Sequence, residues 1–190
     1  MRVIGITGWS GAGKTTLVTK LIPALAGRGL TVATMKHAHH GFDVDQPGKD
    51  SRLHRDAGGR EVLVASGRRV ALVRELAPDE PEPSLGALLA RLSPADVVLV
   101  EGWKGWAHPK IAVHRAANGA PPLHGTLASV RAVASDVPLP DAIVPVIDLD
   151  DVEAIADAVL RHGEERDTLL PALQAPVMTL ARPKRRDDEI

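Results

Sequence analysis

Apolar positions along the chain follow two spacings in turn. Val3, Ile4 and Ile6 form a short β-branched run that ends in a glycine-rich turn, and Leu17, Val18, Leu21, Ile22 and Leu25 then recur as a helical stripe. Pro23 falls inside that stripe and removes one backbone donor, which predicts a kink rather than a stop, and Gly29 ends the helix. Residues 30–35 predict the next strand. Strand, helix and strand in this order form a β-α-β unit, so the expected class is α/β with a mainly parallel sheet.

Residues 37–50 carry Gly41, Pro47 and Gly48 among polar positions and predict a long loop, a type that is usually functional in compact domains. A short polar helix starts at Ser51 and stops at Gly58-Gly59. Residues 61–65 and 69–74, joined through Ser66-Gly67-Arg68, predict an antiparallel hairpin appended to the parallel sheet. A proline- and acid-rich linker at 77–83 leads to Ser84, which caps a helix over 85–92. Residues 97–100 are all apolar, as in a strand buried on both faces, and end at Glu101. Residues 110–114 and 131–135 predict two further strands, and 143–147 a weaker one because of Pro145. Asp150 with Glu153 forms a capping pattern for a helix whose stripe is Val152, Ile155, Ala156, Val159 and Leu160, ending at Gly163. The expected domain is therefore 1–163, with 164–190 an apolar-poor and largely mobile extension.

Composition narrows the function. At 190 residues the chain is one domain with a tail, and 44% hydrophobic with 25% charged residues is ordinary for a globular protein. With 23 basic and 24 acidic residues the net charge is −1, which gives no electrostatic footprint for nucleic acid. Any anion must be held locally. No apolar run approaches the ~18 residues of a membrane span, and the N-terminus runs straight into a structured motif rather than a signal peptide, so a cytoplasmic location is expected. The absence of cysteine excludes disulfides, thiolate metal sites and Cys nucleophiles.

The chemistry begins at Gly8-Trp9-Ser10-Gly11-Ala12-Gly13-Lys14-Thr15, which satisfies G-x-x-x-x-G-K-[ST] between a predicted strand and a predicted helix. Its glycines let successive backbone N–H groups point inward, and these donors, the helix dipole and Lys14 cradle the β- and γ-phosphates of a nucleotide. Thr15 supplies a hydroxyl for Mg²⁺. The expected fold is a three-layer P-loop NTPase with a mainly parallel sheet and the appended hairpin. Glu101, at the carboxyl end of a buried strand, stands where a second Mg²⁺ ligand belongs, although the usual residue there is Asp. His37, His39 and His40 suit Ni²⁺, Zn²⁺ or phosphate, or form a solvated polar loop.

Several segments together carry a family resemblance. These are Gly8-Trp9-Ser10-Gly11-x-Gly13-Lys14-Thr15-Thr16-Leu17, Lys36-His37-x-His39-His40-x-Phe42-x-x-Asp45, Pro47-Gly48-Lys49-Asp50-Ser51-Arg52, Val100-Glu101-Gly102-Trp103-Lys104 and Pro109-Lys110-Ile111. In this order they resemble the molybdopterin-guanine dinucleotide biosynthesis adaptor proteins, the MobB family, over roughly residues 2–163. The resemblance implies a GTP-binding adaptor with Mg²⁺, at most a slow GTP hydrolase, acting as a homodimer beside the molybdopterin guanylyltransferase. It leaves open direct contact with the molybdenum cofactor, and it suggests that the hairpin helps to dimerise or to extend the sheet. Carried over by position, Gly11, Gly13, Lys14, Thr15 and Thr16 bind phosphate, and Asp50 and Glu101 are candidates for Mg²⁺ or for positioning water. Asp136, just after a predicted strand, either reads the base or merely starts the turn into Val137-Pro138. No Asn-Lys-x-Asp motif is present, so guanine specificity rests on the resemblance. An ATP-dependent small-molecule phosphotransferase and a nickel-handling GTPase are the competing functions.

Overall fold

A computed structural model describes residues 1–38 and 41–177. It divides into two compact units, Met1–His37 with Ser84–Ile190, and Ala38–Pro83. In chain order the elements are β1 (Arg2–Thr7), α1 (Lys14–Gly27), β2 (Val32–Lys36), α2 (Asp50–Asp56), β3 (Glu61–Ala65), β4 (Val70–Arg74), α3 (Leu85–Leu89), β5 (Val97–Glu101), β6 (Lys110–His114), β7 (Val130–Ser135), β8 (Val146–Asp148), α4 (Val152–His162), β9 (Glu164–Glu165) and α5 (Arg166–Leu169).

The first unit holds a sheet in the order β2-β5-β1-β6-β7-β8, all parallel. Alternation along the strands divides the core between its two faces. Ile4, Ile6, Val97, Leu99, Ile111 and Val113 pack with Leu17, Leu21 and Leu25 of α1 and Ile155 and Val159 of α4. On the other face Val3, Val98 and Val100 pack with Leu85 and Leu89 of α3, Leu169 of α5 and Leu173. Helices on both faces make three layers, and every residue of β5 is buried, as its unbroken apolar run implies. α1 continues through Pro23.

Several elements differ from expectation. The hairpin β3–β4 forms its own two-stranded antiparallel sheet in the second unit and adds nothing to the parallel sheet. The helix after Ser84 stops at Leu89, although Ser84 caps it as predicted by accepting from the Ala87 N–H. The cap of α4 is Asp151, which accepts from Ala154 N at 2.9 Å, rather than Asp150. β8 begins at Val146 because Pro145 can only accept, and does so from Val133 N at 2.9 Å.

The segment after Gly163 is not mobile as a whole. β6 begins its pairing with β1 at Gly5, and β9 fills the edge left beside Arg2 and Val3, pairing them with Glu165 and Glu164. The Met1 amine meets the Glu165 carboxylate at 2.9 Å. Leu169 and Leu173, four residues apart, are 5% and 0% exposed, so one turn of helix has its own apolar face. The remainder of the expectation for this segment, from residue 178 on, lies outside the described residues.

Candidate functional site

The turn between β1 and α1 bends back on itself because Gly11 and Gly13 adopt φ of 79° and 91°, a region that side chains avoid. Gly8 serves a different purpose: a Cβ there would lie 2.7 Å from the carbonyl oxygen of Val113 on the neighbouring β6. α1 starts at Lys14 with no side-chain cap, so its first N–H groups face the turn. The Lys14 ammonium folds over the turn and donates to Trp9 O at 2.9 Å. Burial lowers its pKa, opposed by Glu101 and assisted by Lys36.

Parallel pairing brings the other charged groups to the same edge. Lys36 and Glu101 are register partners at the carboxyl ends of β2 and β5, and Ile6 is the partner of Glu101 on β1. Thr15 Oγ1 donates to Glu101 Oε1 at 2.8 Å, and Lys36 Nζ stands 3.4 Å from the same oxygen and 3.2 Å from the Thr15 hydroxyl. A hydroxyl beside a carboxylate, both hard oxygen donors, fits Mg²⁺. Lys36 was visible in sequence as part of the Lys-His-x-His-His segment but was not singled out. Its signal is its position at a strand's carboxyl end, the edge at which such sheets bind ligands.

Beyond Glu101 the chain turns sharply. Gly102 has φ of 105°, and a Cβ there would come within 2.9 Å of the His37 Cβ. Trp103 follows at φ 44°, a strained value for an aromatic residue, with its ring 5.0 Å from that of His37. His37 N donates to Glu101 O at 2.9 Å, which ties the end of β2 to the end of β5. Lys104 Nζ lies 4.2 Å from the centre of the Trp9 ring. The return of this loop is held by Lys110, fully buried, whose ammonium donates to Trp106 O, to His108 O at 2.8 Å and to Ser129 Oγ at 3.0 Å. Burial, with help from Arg131, pushes its pKa down to about 7.

On the opposite side of the phosphate turn lies the connection after β6. Asn118 Nδ2 donates to Ser10 O at 2.9 Å and Trp9 Nε1 to Pro121 O at 2.8 Å. Asp136 supports that connection: its Oδ1 accepts from Ala116 N at 2.8 Å and its Oδ2 is 3.7 Å from Arg115 Nη1. No local sequence pattern marks Asn118 or Arg115: the partner of Asn118 lies 108 residues away, and that of Arg115 is on the next strand's exit.

Asp50 is in the first turn of α2, in the second unit. There Arg55 binds Asp43 and Asp45 at 2.8 and 2.9 Å and also binds Glu75, and Ser51 Oγ donates to Asp45 at 3.1 Å. His39 and His40 lie outside the described residues. Among the described residues no three His, Cys, Asp or Glu side chains come together as a metal site, and no helix is long and apolar enough to cross a membrane.

Comparison with known proteins agrees with this geometry. Residues 3–136 match the family described as molybdopterin guanine dinucleotide synthesis protein B. The molybdopterin-guanine dinucleotide biosynthesis adapter protein of Escherichia coli (strain K12) is 46% identical over 168 residues, covering 87% of this chain and 95% of that protein. The adapter protein of Haemophilus influenzae is 40% identical over 160 residues, covering 83% and 86%. Among solved structures, a MobB protein homolog from Bacillus stearothermophilus is 26% identical and covers 85% of this chain and 97% of its own, with a TM-score of 0.63. Bacillus subtilis MobB, at 21% identity, shares the fold with a TM-score of 0.68 over 86% of this chain and 99% of its own. The chain belongs to the molybdopterin guanine dinucleotide synthesis protein B family, MobB.

Proposed function

We propose that this protein is a GTP-binding adapter in molybdopterin guanine dinucleotide biosynthesis, which assists the guanylyltransferase that joins GMP to molybdopterin. The observation that carries this reading is the meeting of Thr15 and Glu101 at the mouth of a complete phosphate loop. Backbone N–H groups from Gly8 through Thr16 (Trp9, Ser10, Gly11, Ala12 and Gly13 among them) and the Lys14 ammonium hold the triphosphate. Thr15 and Glu101 would hold Mg²⁺, which would neutralise charge on the triphosphate. To engage phosphate, Lys14 exchanges the Trp9 carbonyl for a phosphate oxygen. Burial lowers its pKa, and a bound anion would favour the charged form.

Turnover is slow on this reading. No glutamine lies in the phosphate loop or the Glu101-Gly102-Trp103 turn to orient an attacking water. The useful output is a state presented to the partner, and the His37–Trp103 ring contact after β2 and β5 is the element such a state would change. Assembly as a homodimer uses the hairpin. Strand alternation places Leu63, Val70 and Leu72 on one face, where they are 62%, 71% and 51% exposed. A cytoplasmic location follows from the pathway.

Reconstitution tests the proposal. Guanylyltransferase supplied with molybdopterin, GTP and Mg²⁺ should form more dinucleotide when this protein is added, and the Lys14→Ala variant should give no increase. Equal yields with and without the protein would remove the adapter role.

A further inference from the structure

Glu101 ends its strand with a carboxylate side chain that is only 10% exposed. A charge withdrawn from water to this degree is costly unless a cation stays beside it. Lys36 supplies that cation: its ammonium stands 3.4 Å from Glu101 Oε1 and donates to Thr15 Oγ1 at 3.2 Å, while the same Thr15 hydroxyl donates to Glu101 Oε1 at 2.8 Å. The lysine therefore meets both oxygens that would hold Mg²⁺. We propose that Lys36 is the resident counter-ion of this site, an alternative to the metal on the same two oxygens, so that Mg²⁺ enters only as a bound triphosphate draws the lysine away. The proposal rests on the nucleotide reading above and adds the group that couples metal to nucleotide.

Three features suit Lys36 to this exchange. The backbone delivers it: Lys36 and Glu101 are register partners on the parallel strands β2 and β5, and partners in register point to the same face of the sheet. It can leave as well, because its side chain is 60% exposed and carries a compact charge on a flexible four-carbon stem. Lys14 does not take its place on the carboxylate, since that ammonium is turned to Trp9 O at 2.9 Å.

Ammonium and metal exclude one another here. Thr15 Oγ1 spends a lone pair on Lys36, Glu101 Oε1 already accepts from Thr15, and a dication set between these oxygens would face the lysine's positive charge at contact distance. One carboxylate and one hydroxyl are also too few to strip Mg²⁺ of its water, so the metal depends on phosphate oxygens to complete its shell. Those phosphates offer the displaced ammonium a new partner. Triphosphate binding thus removes the competitor and supplies the missing ligands together. By linkage, the metal then tightens the nucleotide by the same factor as the nucleotide tightens the metal.

Mn²⁺, a paramagnetic ion that takes the same oxygen ligands, tests the proposal on the nucleotide-free protein by electron paramagnetic resonance titration. Lys36→Met should bind Mn²⁺ about tenfold more tightly than the unaltered protein, a modest share of the repulsion between an ammonium and a dication near a protein surface. Lys36→Gln should do the same, and Lys36→Arg, which keeps the charge, should match the unaltered protein. Adding Glu101→Gln to Lys36→Met should abolish the gain, which places the ion at this carboxylate. Equal Mn²⁺ affinity in the unaltered protein and both neutral variants, or a gain that survives Glu101→Gln, would overturn the proposal. Calorimetry of the unaltered protein with GTP and Mg²⁺ tests the nucleotide reading separately. No binding there removes that reading and the coupling with it, whereas GTP binding with no Mn²⁺ gain in the neutral variants overturns the counter-ion alone.

Discussion

Thr15 Oγ1 donates to Glu101 Oε1 at 2.8 Å, joining the first turn of α1 to the end of a strand 86 residues later. The contact exists because β1 and β5 run parallel with Ile6 opposite Glu101, so the phosphate loop leaving β1 and the turn leaving β5 open on the same edge. If the pair holds Mg²⁺, Glu101→Gln keeps the hydrogen bond but loses the charge. The increase in GTP affinity on adding Mg²⁺ should then fall by about tenfold, the cost of one lost charge-assisted contact. Titrations with and without the ion check this, and an unchanged increase assigns the metal elsewhere.

The docked start of the C-terminal extension makes a prediction about stability. Leu173 is fully buried among Leu85, Leu89 and Trp103, its carbonyl accepts from Gly86 N at 2.8 Å, and Val177 N donates to Gly105 O at 2.7 Å. Leu173→Ala should cost about 2–5 kcal/mol of unfolding free energy, as for other leucines cut back in a tight core. Urea denaturation measures it, and a loss below about 0.5 kcal/mol, as at surface positions, would mean that the segment contributes nothing to the fold.

Lys110 predicts a pH dependence. Its folded pKa of about 7 lies below the ordinary value of 10.5, so between these limits the unfolded chain carries a proton that the folded chain has released. Stability from this group therefore rises with pH across that window, by up to about 1.4 kcal/mol per pH unit. Below pH 7 both states are charged and the full penalty of burial is present. Lys110→Met, with no group to titrate, should show a shallower rise than the unaltered protein in urea melts at pH 6.5, 7.5 and 8.5, and parallel curves would contradict the assignment.

The exposed face of the hairpin predicts the oligomer. Val70→Asp places a charge on a residue that is 71% exposed, so the isolated chain tolerates it, whereas a dimer interface does not. Sedimentation should find the unaltered protein dimeric and the variant monomeric with an unchanged circular dichroism spectrum. A variant that stays dimeric moves the interface off the hairpin.

How far the sequence could be read follows from how local each feature is. The phosphate loop is eight consecutive residues whose spacing carries its chemistry, and β5 announces itself because a strand buried on both faces has no polar position until Glu101. Lys36 and Asn118 have partners far along the chain, so only the sheet order reveals them. Asp136 follows a strand in sequence, and only the fold shows that its carboxylate accepts from Ala116 N. The hairpin was visible from its turn, but its separation from the main sheet was not, because strand alternation says which face is apolar and not what covers it. The extension read as apolar-poor because Leu169 and Leu173 stand among polar neighbours, and two well-placed leucines are enough to dock one turn of helix.

The central claim is a GTP site built on the phosphate loop, and calorimetric titration of the purified protein with GTP and with ATP in Mg²⁺ tests it most directly. The predicted result is tighter binding of GTP than of ATP, with both lost in Lys14→Ala. ATP bound as well as GTP or better, or GTP binding that survives Lys14→Ala, would contradict it.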